Sequence, residues 1–240
     1  MIKKESVNKY ILYALGEILL VVIGILIALQ INTWNEERIL DKKTKTYLAA
    51  LNSEVELNID LLKEYHDRNH ADIVECSGTL FHLHSDGAIH YNDSILSAGM
   101  TTRPVYKATL GRSTFDDLIN SGTLEYVTDL SLKNKIISIQ SDIEHIDENY
   151  VHAKNVWEDY QLPYLMQHSN VAGNWDSINN VPVPKLPYER DKAAFVNNKK
   201  YASILTLRMK MMGNYEYAID DVRKNFIELS DHLKIYIEKK

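Results

Sequence analysis

The sequence predicts an all-α protein, in which an N-terminal transmembrane helix continues into an antiparallel bundle of long helices carrying a short-helix and turn insertion. Three observations predict it. The run from Tyr10 to Asn35 is apolar enough to require a hydrocarbon solvent. Two later runs, from Asp129 to Tyr164 and from Asn198 to Glu238, repeat apolar residues in steps of three and four for about ten turns each. Gly and Pro gather mainly between residues 77 and 127 and between 169 and 191, which leaves the long runs free to be helices.

Residues 1–9 form a short tail and residues 10–34 the transmembrane helix. From Ile11 to Ile31 the only charged residue is Glu17. At a rise of about 1.5 Å per residue that run crosses a hydrocarbon core of about 30 Å. Tyr10, Tyr13 and Trp34 fall where interfacial aromatics belong, and charge resumes with Glu36, Glu37 and Arg38. The apolar run outlasts a signal-peptide core and ends in Gln30, Asn32 and Asn35 rather than in a small-x-small cleavage site, so an uncleaved signal anchor is expected. Lys3, Lys4 and Lys9 on one side nearly balance Arg38, Lys42, Lys43 and Lys45 on the other. A signal anchor ordinarily exports its long side, which places residues 35–240 outside the cytoplasm, in the periplasm, with the helix a single pass through the inner (cytoplasmic) membrane.

The faces of this span differ. At about 100° per residue, Ala14, Glu17, Val21, Gly24, Ala28, Ile31, Asn32 and Asn35 share one sector, while most bulky aliphatics lie elsewhere. Gly24 and Ala28 form a small-xxx-small pair that permits close helix approach, and Glu17 on the same stripe is costly against lipid. The expectation is a helix-pairing interface, in a homo-oligomer or against another membrane protein. The alternative is that Glu17 lies near the headgroups and Gly24 is an ordinary transmembrane glycine.

Residues 35–240 form the extramembrane bundle. Residues 35–76 read as a stalk helix on the stripe Tyr47, Leu51, Val55, Ile59, Leu62 and Tyr65, with no Gly or Pro between Trp34 and Cys76. Residues 77–127 read as short elements. There Ser113 is placed to cap a helix that Gly122 closes, and short strands are expected around Ile89–Tyr91 and Val105–Tyr106. Residues 128–166 read as the second long helix, on Leu132, Ile136, Ile139, Ile143, Ile146, Tyr150, Ala153, Trp157, Tyr160 and Tyr164, with Pro163 ending or kinking it. Residues 169–191 are an irregular connection in which Trp175 is a possible clasp. Residues 198–238 read as the third long helix, whose stripe from Tyr201 through Arg208 and Met212 to Tyr236 keeps phase through Gly213. Tyr outnumbers Phe by 15 to 4, so hydroxyls are expected at the rim of the core.

Charge and chemistry narrow the function classes. Beyond residue 34 the chain holds 24 basic and 31 acidic residues, an acidic balance that argues against nucleic acid as a partner. Cys76 is the only cysteine, so no internal disulfide forms. There is no Walker loop, GxGxxG, HExxH, CxxC or GxSxG, and no cofactor or catalytic residue is expected. The histidines are the candidates for metal. His66 and His70 share a helix face, and Asp67-x-x-His70 is echoed by Asp142-x-x-His145, a carboxylate-x-x-His arrangement like that of di-iron bundles, although those use Glu. His82, His84 and His90, with Cys76 and Asp86, make a second possible set, suited to zinc. The plainer reading of both is a solvated polar surface.

The segment Tyr13-Ala-Leu-Gly-Glu-Ile-Leu-Leu-Val-Val-Ile-Gly-Ile-Leu-Ile-Ala-Leu-Gln-Ile-Asn-Thr-Trp-Asn-Glu-Glu-Arg38 resembles the opening of a family of uncharacterised single-pass membrane proteins of Gram-negative bacteria, described as a domain of unknown function. Ser113 to Leu124 and Leu130 to Ile136 more loosely resemble that family's middle region. The resemblance implies a membrane location and a helical extramembrane region, and it implies no activity. Glu17 to Leu26 is also similar to type IV pilin N-termini, but Gly16 and Glu17 are adjacent here, whereas pilins separate cleavage glycine and glutamate. The expected function is a membrane-anchored scaffold, accessory or sensor-like module that is not an enzyme. With the chain closing at Lys240, any signalling output is expected to belong to a separate protein. A metal-dependent enzyme and a pilin-like assembly subunit are the alternatives.

Overall fold

The computed structural model describes residues 4–84, 103–169, 177–189 and 191–238. It is all-α, with a long N-terminal helix packed on a long C-terminal one. Helix α1, Lys4–His84, is a single helix of 81 residues. It passes the expected end of the stalk at Cys76, because one glycine costs a helix only about 1 kcal/mol and Leu80 and Leu83 prolong the packed stripe beyond Gly78. From 13 to 39 every residue is exposed. Burial starts at Thr44 and then recurs every three or four residues through Leu48, Leu51, Val55, Leu62 and Cys76 to Leu83.

Residues 103–112 are irregular and descend beside α1. Val105–Tyr106 does not pair as a strand; a side chain of a long helix takes the Tyr106 carbonyl instead. The Ala108 N–H donates to Tyr215 Oη at 2.8 Å, and that hydroxyl donates to the Tyr106 carbonyl at 3.1 Å. Asn58 binds Gly111 both ways, accepting its N–H at 2.8 Å and donating to its carbonyl at 2.7 Å. The expected strand at Ile89–Tyr91 lies outside the described residues.

Helix α2, Ser113–Asn120, follows. Ser113 is not its cap. The Glu54 carboxylate on α1 accepts the backbone N–H groups of Thr114 (2.8 Å) and Phe115 (3.2 Å) and the Ser113 hydroxyl (3.0 Å), so a distant anion satisfies the orphan donors of the first turn. Gly122 closes the helix at φ 68°, a left-handed conformation that favours glycine, and leads into a 3-10 turn, Thr123–Tyr126.

Helix α3, Leu130–Val156, is capped by Asp129, whose Oδ1 accepts from the Leu132 N–H at 3.0 Å. It then widens into a π-turn, Trp157–Gln161, and resumes as α4, Leu162–His168. Pro163 therefore neither ends nor obviously breaks the run. It falls in the first turn after the π-turn, where its missing N–H is tolerated. The wider turn rotates the face, so Gln161 is buried and Tyr160, expected in the core, is exposed.

The described part of the connection, 177–189 and 191, contains a two-residue hairpin, Ser177–Ile178 (β1) with Val181–Pro182 (β2). Asn179 and Asn180 turn it at φ 49° and 65°, as a tight hairpin requires. Trp175 lies outside the described residues. After a 3-10 turn at Lys192–Ala194, Asn198 caps α5, Lys199–Glu238, which runs unbroken through Gly213.

Helix α5 runs antiparallel to α1 and α3 and packs on both. Ser230 on α5 meets Asn52 on α1, and Asn69 on α1 donates to the Met212 carbonyl. Lys135 and Asp142 on α3 meet Glu228 and Asn225. The descending segment 103–128 bonds to all three helices and is the fourth stave of the bundle. One core fills its length, and a second, rich in aromatics, lies at the far end around Trp157, Tyr164, Phe195 and Tyr201. Tyr47, Tyr65, Tyr150 and Tyr236 are partly buried against the core, at the rim where hydroxyls are expected, while Tyr164, Tyr201 and Tyr215 are buried within the cores. The Tyr164 hydroxyl donates to the Ala194 carbonyl, and burial pushes the Tyr215 phenol above its ordinary value.

Candidate functional site

Among the described residues α1 is the one helix long and apolar enough to cross a membrane. Ala14, Glu17, Val21, Gly24, Ala28 and Asn32 all lie exposed on it, as do Tyr13 and Trp34. The side chain of Tyr10 is outside the described set. A Cβ built on Gly24 meets nothing within 4 Å, so no packing inside the chain demands glycine there. At the end of the apolar run the helix satisfies its own polar groups. Asn32 donates to Glu36 at 2.7 Å, the Thr33 hydroxyl to the Leu29 carbonyl at 3.0 Å, and the Arg38 guanidinium lies 5.8 Å from the Trp34 ring centre.

His66 and His70 come together on α1 with their rings stacked at 6.1 Å, facing α5. His70 Nδ1 lies 3.1 Å from Glu216 Oε1, and His66 Nε2 lies 3.5 Å from both Glu216 and Asp220. Asp67 is engaged by Lys63 at 2.9 Å and by His66 at 3.2 Å, and its carboxyl is held below the ordinary range by those bonds. The echo on α3 does not complete a di-iron set. Asp142 accepts from Asn225 at 3.1 Å, and His145 is exposed on α3, which packs chiefly on α5. The described members of the zinc set do not converge either. Cys76 points into the core, His82 is exposed, His84 turns back to the Leu80 carbonyl at 3.1 Å, and His90 and Asp86 lie outside the described residues. Among the described residues no three His, Cys, Asp or Glu groups are arranged to hold a metal ion.

A buried cation sits where the π-turn meets α5. Arg208 is fully buried, donating to Gln161 Oε1 at 2.6 Å, to the Arg103 carbonyl at 2.9 Å and to Met212 Sδ at 3.3 Å, with its guanidinium 4.9 Å from the Trp157 ring centre. Its neighbours neutralise it only at longer range. Burial pulls its pKa down, while Cys76 and Asp72 act the other way, and burial pushes the Asp72 carboxyl up. Asp72 is itself paired with Arg103 at 3.2 Å. The sequence carried one signal for this cluster, an arginine on an otherwise apolar stripe between Leu205 and Met212. Its partners were hidden because the π-turn alone brings Gln161 inward. The node ties α1, the descending segment, the π-turn and α5 together and is a structural clamp.

Beside the π-turn an open cleft of about 330 Å³ runs between α4 and α5, lined by Tyr160, Pro163, Tyr164, Lys200, Ile204 and Leu207, with Lys200 Nζ 5.4 Å over the Tyr164 ring. Comparison with protein-family models, with curated proteins and with solved structures finds no match to this chain.

Proposed function

We propose that this chain is a single-pass protein of the inner membrane whose bundle projects into the periplasm and acts by contact, as a scaffold, accessory subunit or sensor-like module, without chemistry of its own. The observation that carries the reading is the continuity of α1. The apolar stretch and the packed half of the bundle are one helix, so any tilt or rotation of the span is delivered to α5 and α3 without a joint. Only residues 35–43 stand between the two, a charged neck exposed except at the half-buried Leu40. The resemblance of Tyr13 to Arg38 to a bacterial membrane family supports the same placement.

Two measurements test it. Full-length protein with a C-terminal affinity tag, purified from solubilised membranes, is expected to bring down a stoichiometric membrane companion or itself. Recovery as a lone monomer under mild detergents contradicts the contact role. A reporter enzyme fused after Lys240 is expected to be active on the outer side of the membrane, and activity confined to the cytoplasm reverses the orientation.

A further inference from the structure

The π-turn shapes the surface as well as the core. It carries Gln161 inward and Tyr160 outward, and the cleft of about 330 Å³ between α4 and α5 opens beside it. The floor is apolar, with Tyr164 and Ile204 buried beneath and Pro163 and Leu207 exposed at the sides. The two ends carry opposite charge. Tyr164 stacks on Tyr201 at 5.5 Å and lies under Lys200 Nζ at 5.4 Å, which sets Lys200 at one end. The bond of Gln161 to Arg208, 2.6 Å long, sets the π-turn and with it Asp159 beside Leu207 at the other. Along α5, Lys200 and Leu207 stand about 10 Å apart.

These features select a ligand. A molecule with a single charge would satisfy one end of the cleft and be repelled at the other, so the match is a carboxylate at Lys200 and an ammonium at Asp159. A free amino acid holds both charges too close together to reach both ends. An extended chain advances roughly 3.3–3.6 Å per residue, and about three residues bridge the gap. Between the ends, Gln167 offers an amide and Tyr160 a hydroxyl, and Ser203, whose hydroxyl donates to the Lys199 carbonyl at 2.8 Å, keeps an oxygen that can accept. A hydrocarbon body would strip water from those groups without replacing it, whereas peptide N–H and C=O groups pair with them while apolar side chains cover the floor.

We propose that this cleft binds a short apolar peptide, about three residues long with both termini free, its carboxylate at Lys200 and its ammonium at Asp159. The peptide gives the sensor-like module described above something to sense. The cleft lies by the end of α1 away from the apolar run, where the Asn197 N–H donates to the Leu83 carbonyl at 3.1 Å, so the site requires neither a protein companion nor a particular membrane orientation. Failure of peptide binding therefore leaves the contact role standing, and the tagged purification tests that role separately.

The test is equilibrium dialysis of full-length, detergent-solubilised protein against radiolabelled trivaline at low salt. Saturable binding is expected, with free valine and triglycine competing poorly because the first is too short and the second has no apolar side chains. Lys200→Gln and Asp159→Asn, both at exposed positions, are each expected to weaken binding about threefold to fivefold. N-acetylated trivaline should bind wild type and Asp159→Asn alike, and C-amidated trivaline should bind wild type and Lys200→Gln alike, since each cap removes the charge that the substituted residue would meet. Absence of saturable binding, triglycine binding as well as trivaline, or equal affinity of wild type and both variants for uncapped trivaline overturns the proposal. Weakening by Lys200→Gln alone, with Asp159→Asn and N-acetylation neutral, shows a site for carboxylates in general and overturns it as well.

Discussion

The two halves of α1 are the same secondary structure under opposite rules. Between 13 and 39 every residue is exposed and bulky aliphatics point in nearly all directions, whereas between 44 and 83 most apolar residues share one buried stripe and only a few, such as Leu57, Val74 and Phe81, stand exposed. A helix apolar all round needs lipid and a helix apolar on one side needs a partner. The backbone does not register the change, because its hydrogen bonds close within the helix in either solvent. Continuity of a helix therefore says nothing about what surrounds it, and the distribution of side chains around its axis says nearly everything.

The contrast can be broken most forcefully under the packed half. Arg208→Ala leaves the Gln161 and Arg103 carbonyls without their donor and opens a cavity, so it should cost about 3–5 kcal/mol in urea unfolding of the solubilised protein. Arg208→Met restores most of the volume and should cost less. A loss below about 1 kcal/mol for the alanine variant would mean that water replaces the guanidinium and that the node is no clamp.

A matched pair of truncations sharpens the comparison directly. Leu62→Ala, at a fully buried position, should lower stability by about 2–5 kcal/mol, while Leu26→Ala, exposed in the span, should change the same unfolding transition by less than about 0.5 kcal/mol. Equal effects would show that the span and the bundle unfold as one unit.

Smaller effects follow at the polar attachments of the packed half. Glu54→Ala removes the carboxylate that caps α2 and should cost about 0.5–2 kcal/mol, with hydrogen exchange rising first at Thr114 and Phe115. Unchanged protection at those amides would show that solvent caps α2 equally well.

The smallest effect is a pH dependence. Burial raises the folded-state pKa of Asp142, so the folded protein holds that proton more tightly than the unfolded chain. The sign follows from linkage, and this group's contribution to stability falls as pH rises from the unfolded value to the folded one. Relative to wild type, Asp142→Asn should therefore gain in urea midpoint between pH 4 and pH 7. Parallel midpoints across that range would remove the assignment.

Much of this architecture was legible beforehand because period and composition are local. The phase of the stripe from Tyr201 to Tyr236 held through Gly213 and predicted one helix, since a turn would have reset it. Leu132 to Ala153 predicted the α3 face for the same reason. Tyr160 failed because a π-turn adds a residue to one turn, and no pattern in Trp157 to Gln161 announces that. Ser113 failed as a cap because Glu54 lies 59 residues away and an anion of that kind is invisible to local rules. Among the described residues the histidine pairs do not meet, because equal spacing on two helices does not turn them toward each other.

What the amino-acid sequence determined by itself is which stretches are apolar all round and which on one side only. Hydrophobicity, its period and its interruption by Gly and Pro are properties of neighbouring residues, and they set the long helices, their buried stripes and the run long and apolar enough to cross a membrane. What only the tertiary structure decided is which residues meet. The cap from Glu54, the pairing of Asn58 with Gly111 and the burial of Arg208 against Gln161 all depend on the register between distant segments. That register is set by how the finished surfaces fit rather than by any single stretch of chain.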